Sequence, residues 1–258
     1  MTICSVIHAI EEFAPRALQE SYDNAGLQAG DATNSCSGAL LTLDITEQTV
    51  REAEECGCNL IISHHPLLFK GVKTISPATP VGRILMEAIR RNITLYSAHT
   101  NLDNAHGGVS HRMAHKLGLT DVTVLQPQAD GISGSGCVGR VMPTTLADMI
   151  KRVKEAFGCQ AVRYCGNEEA VVEKVALCGG SGAFLIEEAV AAGAQLYITG
   201  DVKYHDFTGF AHQIAVIDAG HYETEQCVKE IFSSLLVQRF PDLKVVISAT
   251  DKNVIKYK

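Results

Sequence analysis

The sequence predicts an α/β protein of two domains, each with a mixed or parallel sheet flanked by helices. Three observations carry this. Short apolar runs alternate with stretches of helical period along the chain. Several of those runs end abruptly in polar, ligand-type residues, and the ends of buried strands are where α/β sheets build sites. Around residues 121–135 the periodicity lapses while Pro127, Gly131 and Gly134 accumulate, which marks a boundary. The expected domains are therefore residues 1–126 and 127–258, with the C-terminal segment from about 220 to 258 available to complete the first.

The elements follow in order. Residues 2–20 carry Ile3, Val6, Ile7, Ile10 and Phe13 at helical spacing, and Pro15 breaks or restarts that helix. Asp23-Asn24, with Gly26 and Gly30, makes a structured turn into a short strand. Residues 38–44 are a buried strand ending in Asp44. Thr46 caps a helix from 47 to 56, and Gly57 stops it. The run Asn59-Leu60-Ile61-Ile62 is a strand that ends at Ser63-His64-His65, where Pro66 prevents continuation. After an irregular loop over 66–78, Thr79-Pro80 opens a helix to about Arg91. Residues 93–97 form a strand leading to His99, and a loop carries Asn101 to Asn104. A helix from Gly107-Gly108 runs to about Leu117. Right-handed crossovers place the ends at Asp44, His64-His65 and His99 on one edge of the sheet.

Beyond the boundary, strands are expected over 136–142, 161–164, 174–178, 195–199, 214–218 and 243–248. Helices are expected over 144–158, from Gly182 to Ala192, and over 222–238. This half echoes the first, because its strands also end in polar residues, notably Gly200-Asp201 and Gly220-His221.

Composition narrows the function classes. The chain has 258 residues and is 46% hydrophobic without a single Trp, so its core is aliphatic. A net charge of −7 with no Lys/Arg block argues against a nucleic-acid footprint. Nine cysteines without a C-x-x-C pair read as buried small hydrophobes in a reducing cytoplasm. Residues 1–20 carry Glu11, Glu12 and Arg16 in an amphipathic pattern, unlike a signal peptide, and no apolar stretch approaches a membrane span of roughly 20 residues.

Metal ligation is the chemistry to test. His64 and His65 are neighbours, and on a regular strand they would face opposite ways; at a strand-to-loop transition they can converge. Alone the pair is weak, since one core and one surface histidine explain it. Asp103 follows His99 in the next strand-end loop, and a carboxylate near imidazole suits divalent transition metals. His221 and Glu225 stand four apart at a helix start and so share a face, a metal-ligand spacing that a simple ion pair also produces. Glu223 lies off that face. Together two His, an Asp, a third His and a Glu exceed one tetrahedral ion, and five ligands with a bridging carboxylate suit two ions about 3.5–4 Å apart. Gly179-Gly180-Ser181-Gly182 lies between a strand and a helix; it is either a phosphate cradle or a tightly packed turn, and it lacks a P-loop Lys and a dinucleotide fingerprint. Lys203 and His205, in a polar cluster after a strand, are candidates for phosphate contact or proton transfer. No G-x-S-x-G elbow supports serine hydrolysis.

Six ordered blocks carry a resemblance that spans nearly the whole chain. They are Ser21-Tyr22-Asp23-Asn24-Ala25-Gly26-Leu27, Ile62-Ser63-His64-His65-Pro66, and Ser97-Ala98-His99-Thr100-Asn101-Leu102-Asp103. The others are Cys178-Gly179-Gly180-Ser181-Gly182, Thr199-Gly200-Asp201-Val202-Lys203-Tyr204-His205-Asp206 and Gly220-His221-Tyr222-Glu223-Thr224-Glu225. In these the chain resembles the GTP cyclohydrolase I type 2 family, also called the NIF-three-like family. Tyr22 stands where the family often has Trp, with a packing change as the expected consequence. The additional domain that some longer members insert mid-sequence is missing.

The resemblance implies a dinuclear metal site in the cleft between two α/β domains, with ligands at His64, His65, Asp103, His221 and Glu225, and Glu225 or Asp103 bridging. It also implies a toroidal homohexamer. The expected function is a dinuclear-metal-dependent hydrolase acting on a nucleotide-like small molecule, with attack at a position such as purine C8, and with His99 or His205 moving protons. The ions are zinc, iron, manganese, cobalt or nickel, which mixed imidazole and carboxylate ligation does not separate. The competing expectation is a non-enzymatic metal-binding oligomeric scaffold or metal chaperone that interacts with other proteins.

Overall fold

A computed structural model describes residues 1–258. The chain forms two compact units. The first comprises Met1–Leu102 and Val228–Lys252, the second Asp103–Cys227 and Asn253–Lys258. Residues 103–126 thus group with the second unit, and of the C-terminal stretch from about 220 to 258 residues 228–252 return to the first while 220–227 and 253–258 stay with the second.

The first unit opens with α1 (Ile3–Phe13), capped by the Thr2 hydroxyl, which accepts from Ser5 N–H. β1 (Gly26–Ala29), β2 (Ala39–Thr42), α2 (Glu47–Glu55), β3 (Leu60–Ser63), α3 (Pro80–Arg90) and β4 (Thr94–Ser97) follow. Local chemistry sets the helix starts. Thr46 and Thr49 exchange reciprocal hydroxyl–backbone hydrogen bonds at the head of α2, and Thr79 with Pro80 opens α3 as the sequence predicts. β2, β3 and β4 are buried at every position, which is why they read as unbroken apolar runs. Leu40, Ile61 and Leu95 pack against Val50 and Ala53 of α2 and Leu85 and Ala88 of α3. Each such fully buried aliphatic side chain contributes roughly 1.5–3 kcal/mol relative to exposure.

The second unit begins within α4 (Thr100–Asn104), a short helix where the sequence suggests a loop. It continues through α5 (Val109–Lys116), β5 (Thr120–Pro127), β6 (Gly134–Thr145), α6 (Leu146–Phe157), β7 (Arg163–Cys165) and β8 (Val171–Leu177). Then come α7 (Ile186–Ala191), β9 (Leu196–Thr199), α8 (Tyr204–Phe210), β10 (Ala215–Asp218) and α9 (His221–Glu225). The stretch expected to be irregular is a hairpin. β5 pairs antiparallel with β6 at the edge of a six-stranded sheet of order β5-β6-β8-β9-β10-β7. β8, β9 and β10 run parallel, with Leu177 opposite Ile198 and Thr199 opposite Asp218. That register brings Cys178-Gly179, Gly200-Asp201 and Gly220-His221 to the same sheet edge.

The chain then returns to the first unit with α10 (Val228–Arg239) and β11 (Val245–Ile247). The single helix expected over 222–238 is two, α9 and α10, interrupted at Gln226-Cys227. β11 completes a five-stranded sheet of order β1-β4-β3-β2-β11, parallel except for β1. Thr42 lies opposite Ser63, and Ser63 opposite Ser97, so β2, β3 and β4 end in one row. The C-terminal segment is anchored by a buried Lys229–Asp251 ion pair of 2.7 Å, and Asp251 also accepts from Leu43 N–H.

Candidate functional site

In the first unit three imidazoles converge at the row of strand ends. Ser63 supplies the turn: its hydroxyl donates to the His65 carbonyl at 2.9 Å and pairs with the Ser97 hydroxyl at 2.7 Å. The backbone is therefore tied back as β3 ends, and His64 and His65 no longer point to opposite faces; their ring centroids are 5.1 Å apart. β4 delivers His99, whose ring centroid is 5.1 Å from that of His64 and 5.6 Å from that of His65. One ring nitrogen from each of the three lies within 4.8 Å of the others. His64 is fully buried, and His65 and His99 are partly so.

The three rings share a feature that single-residue motifs do not reveal. His64 Nδ1 donates to the Ala98 carbonyl at 2.9 Å, His65 Nδ1 to Asp44 Oδ1 at 2.8 Å, and His99 Nδ1 to Asp23 Oδ1 at 2.8 Å. Each acceptor lacks a proton to give, so each Nδ1 carries the hydrogen and each Nε2 is the basic nitrogen. Orienting an imidazole by a carboxylate or carbonyl at one nitrogen is how metal-ligating histidines are set. Asp23 is built firmly for this. It also accepts from Thr100 N–H at 3.0 Å and from the Thr100 hydroxyl. Burial alone would raise its carboxyl, but these donors and His99 hold it well below the usual carboxylate range.

The second unit carries the other donors. α9 starts at His221 after Gly220 in the left-handed region, φ 88°. His221 Nδ1 donates to Asp201 Oδ2 at 2.7 Å, and its Nε2 stands 2.9 Å from Glu225 Oε2. Two ligands each about 2.1 Å from one ion at a right angle are about 3 Å apart, so this pair has the spacing of two donors to one cation. Glu225 is buried, whereas Glu223 accepts from Asn253 Nδ2 at 2.8 Å and belongs to no donor group. Asp103 is partly buried on α4. Its charge and that of Glu225 both bear on Cys178, whose thiol is pushed up by burial first and by these carboxylates next.

The glycine turn is structural. Gly180 N–H donates to the Thr224 hydroxyl at 3.0 Å and Gly182 N–H to the Thr199 hydroxyl at 2.9 Å, so two amides that would cradle a phosphate are already used. A Cβ at Gly180 would overlap Glu225 Oε1, and the residue sits at φ +59°. The turn is thin because Glu225 and His221 pack against it. His205 is exposed on α8 against the Tyr204 ring and joins none of the donor groups; Lys203 is exposed too. A cavity of about 320 Å³ opens beside His221, lined by Arg163, Asp201, Asp218, Glu223 and Tyr257 among others. Tyr22 is 64% exposed, and its ring stands 6.4 Å from that of Phe69.

Asp23, Asp44 and Asp201 are the residues that motif reading passes over as orienting groups. The signal available was positional, since Asp44 and Asp201 each close or follow an apolar strand.

The donor chemistry fits divalent transition ions: imidazole Nε2 atoms with fixed tautomers, plus carboxylates. No helix is long and apolar enough to cross a membrane. The sequence matches the family described as Duf34/NIF3 (NGG1p interacting factor 3) over residues 1–254. A "GTP cyclohydrolase 1 type 2 homolog" of Clostridium acetobutylicum is 40% identical over 86% of this chain and 84% of its own. One of Clostridium perfringens is 33% identical over the whole of both chains. Among solved structures, a hypothetical protein of Staphylococcus aureus superposes with a TM-score of 0.93 at 28% identity, covering 100% of this chain and 99% of that one. "Reduced HcgD from Methanocaldococcus jannaschii" does so with a TM-score of 0.82 at 26% identity, covering 96% and 97%. With its fold, its ordered motifs and a match over almost every residue, the chain belongs to the Duf34/NIF3 family.

Proposed function

We propose that this protein is a metal-dependent hydrolase acting on a nucleotide-like small molecule, with two divalent ions held by His64, His65, Asp103, His221 and Glu225. The observation that carries the reading is the shared tautomer: His64, His65 and His221 each donate from Nδ1 to a fixed acceptor and present Nε2 as a ligand. Buried Glu225 supplies a carboxylate at ligand spacing from His221. Divalent ions on such donors supply Lewis acidity and a water activated at neutral pH.

The chain's own residues do the rest. His99, held by Asp23 at Nδ1, takes or gives a proton at Nε2; His205, exposed on α8, is the second candidate for that role. The cavity beside His221 has the size of a small-ligand site, and Arg163 on its wall is paired with Asp218. The relatives named GTP cyclohydrolase 1 type 2 homolog support a nucleotide substrate. Nine free cysteines support a reducing, cytoplasmic setting, and the family resemblance supports a homohexamer.

The test is elemental analysis of the as-purified protein together with a screen of nucleotides and phosphoesters. Turnover that depends on metal and vanishes in His64→Ala and Glu225→Ala is expected, and comparing His99→Ala with His205→Ala separates the two proton carriers. Metal-loaded protein that turns over nothing in the screen sinks the enzymatic reading. The family description, an interacting factor, supports the second reading of a metal-binding scaffold or chaperone; metal bound without turnover, with partners lost on chelation, would favour it.

A further inference from the structure

Beside the three imidazoles of the first unit lies an exposed aromatic pair. Tyr22 is 64% exposed and Phe69 43%. Their ring centroids are 6.4 Å apart at 69°, and the Phe69 ring stands edge-on to His99 at 6.0 Å and 87°. Single exposed apolar residues are ordinary. Two rings in contact, held at fixed positions next to a cluster of imidazoles, are a different matter.

The backbone under the rings is pinned. Asn24 Nδ2 donates to the Leu68 carbonyl at 2.9 Å, and Leu68 N–H donates to Gln28 Oε1 at 3.1 Å. Gln28 is buried, and its Nε2 donates in turn to the Asn24 carbonyl at 2.7 Å and the Gly26 carbonyl at 3.2 Å. Both backbone polar groups of the residue before Phe69 are thus clamped by side chains of the segment that carries Tyr22. Three consecutive residues divide the work: Tyr22 presents a ring, Asp23 fixes His99, and Asn24 fixes the approach to Phe69. Rigid rings on a clamped backbone lose little entropy when they take up a ligand.

We propose that Tyr22 and Phe69 form a stacking platform for a planar heteroaromatic ring of the substrate, a purine or a related fused heterocycle. The inference rests on the nucleotide-like substrate of the proposed function and says which residues recognise the ring. A flat ring is the occupant because the pair offers π faces and no charge, and because Phe69 touches His99 directly, which sets the ring beside the imidazoles. Base–aromatic stacking tolerates any planar ring, so the platform supplies affinity and placement and leaves discrimination between bases to hydrogen bonds elsewhere.

The chain has no Trp, so Tyr22→Trp introduces a single indole reporter at the platform. GTP is expected to quench it, and inorganic tripolyphosphate, which has no ring, is not. By calorimetry, Tyr22→Ala and Phe69→Ala should each weaken GTP about tenfold and leave tripolyphosphate unchanged. Phe69→Leu, which keeps apolar volume without a π face, should behave like Phe69→Ala. Equal GTP affinity in wild type and all three variants, with tripolyphosphate still bound, overturns the platform while leaving the phosphate-bearing substrate intact. Binding of neither probe by the wild type overturns the substrate reading itself. A change of oligomeric state in the variants by light scattering, with GTP affinity unchanged, reassigns the pair to a contact between copies and also overturns the platform.

Discussion

Asp201 accepts the Nδ1–H of His221 at 2.7 Å, and it does so from a left-handed backbone, φ 53°, which Gly adopts freely and Asp, with Asn, adopts more readily than most residues but at some cost. The strain and the hydrogen bond occur in one residue, so one substitution separates them. Asp201→Gly relieves the backbone, a gain of up to about 1 kcal/mol, and removes the carboxylate that orients the ring. The expected outcome is a protein at least as stable as wild type to urea, with metal affinity lowered about 10–100-fold in competition with a chelator. Asp44→Ala should weaken metal similarly through His65. Unchanged metal affinity in both would deny the aspartates their orienting role.

Gly180 makes a second separation possible. Both Gly180 and Gly193 hold positive φ, +59° and +72°, but a Cβ at Gly193 meets nothing within 4 Å whereas one at Gly180 overlaps the Glu225 carboxylate. Gly193→Ala should cost about 1 kcal/mol from backbone strain alone, with bound metal unchanged. Gly180→Ala should cost at least 1–3 kcal/mol more, because an overpacked side chain must move, and it should lose metal as Glu225 is displaced. Urea midpoints and metal content of the two variants check this. Equal losses would mean that the turn is thin for backbone reasons only.

The strand ends of the first sheet were legible because burial on both faces leaves no choice but apolar residues in β2, β3 and β4, so the polar residues that follow stand out. β5 was not legible. It lies at a sheet edge with most positions exposed or partly exposed, and its sequence, Thr120–Pro127, mixes polar with apolar residues and ends in Pro. The gap between α9 and α10 was hidden for the opposite reason: Cys227 and Val228 are buried, so helical periodicity runs through the break. Of the candidate site, the imidazoles and carboxylates were visible in the sequence and their orientation was not. Asp23 lies 76 positions from His99, Asp44 21 from His65, and Asp201 20 from His221; only the fold brings each acid to its ring. The glycine turn could have cradled phosphate or packed tightly, and its amides decide for packing because Thr199 and Thr224 receive them.

Cysteine reactivity should follow burial. Burial pushes the Cys58 thiol up to about 11, and those of Cys137 and Cys159 to about 12 each, from an ordinary value of 9.0. At pH 8 a thiol at 12 is thiolate in only about one molecule in ten thousand, against about one in ten at 9.0. Brief iodoacetamide treatment at pH 8 should therefore label exposed Cys4 and spare Cys58, Cys137 and Cys159, with all nine labelled in urea. Mass spectrometry of the peptides reads the result. Labelling of Cys159 at the rate of Cys4 in the folded protein would show that the second unit opens locally.

Glu52 of α2 holds the segment that follows β11, and its hold is pH-dependent. Its oxygens accept from the Ser248 hydroxyl at 2.5 Å, the Thr250 hydroxyl at 2.6 Å, Ala249 N–H at 2.6 Å and Thr250 N–H at 3.3 Å. Burial pushes its carboxyl upward, but the four donors outweigh it and the value lies below the ordinary 4.5. A carboxyl lowered in the folded state stabilises it fully above the unfolded value, and that stability is lost as pH falls from about 4.5 through the folded value. Glu52→Gln keeps one acceptor oxygen and turns an amide donor toward donors. It should cost about 1–3 kcal/mol at pH 7, and the gap to wild type should narrow once the pH drops below 4.5. Urea midpoints of the two proteins across pH 7 to 3 measure this, and a gap that stays constant over that range would show that Glu52 acts by shape and not by charge.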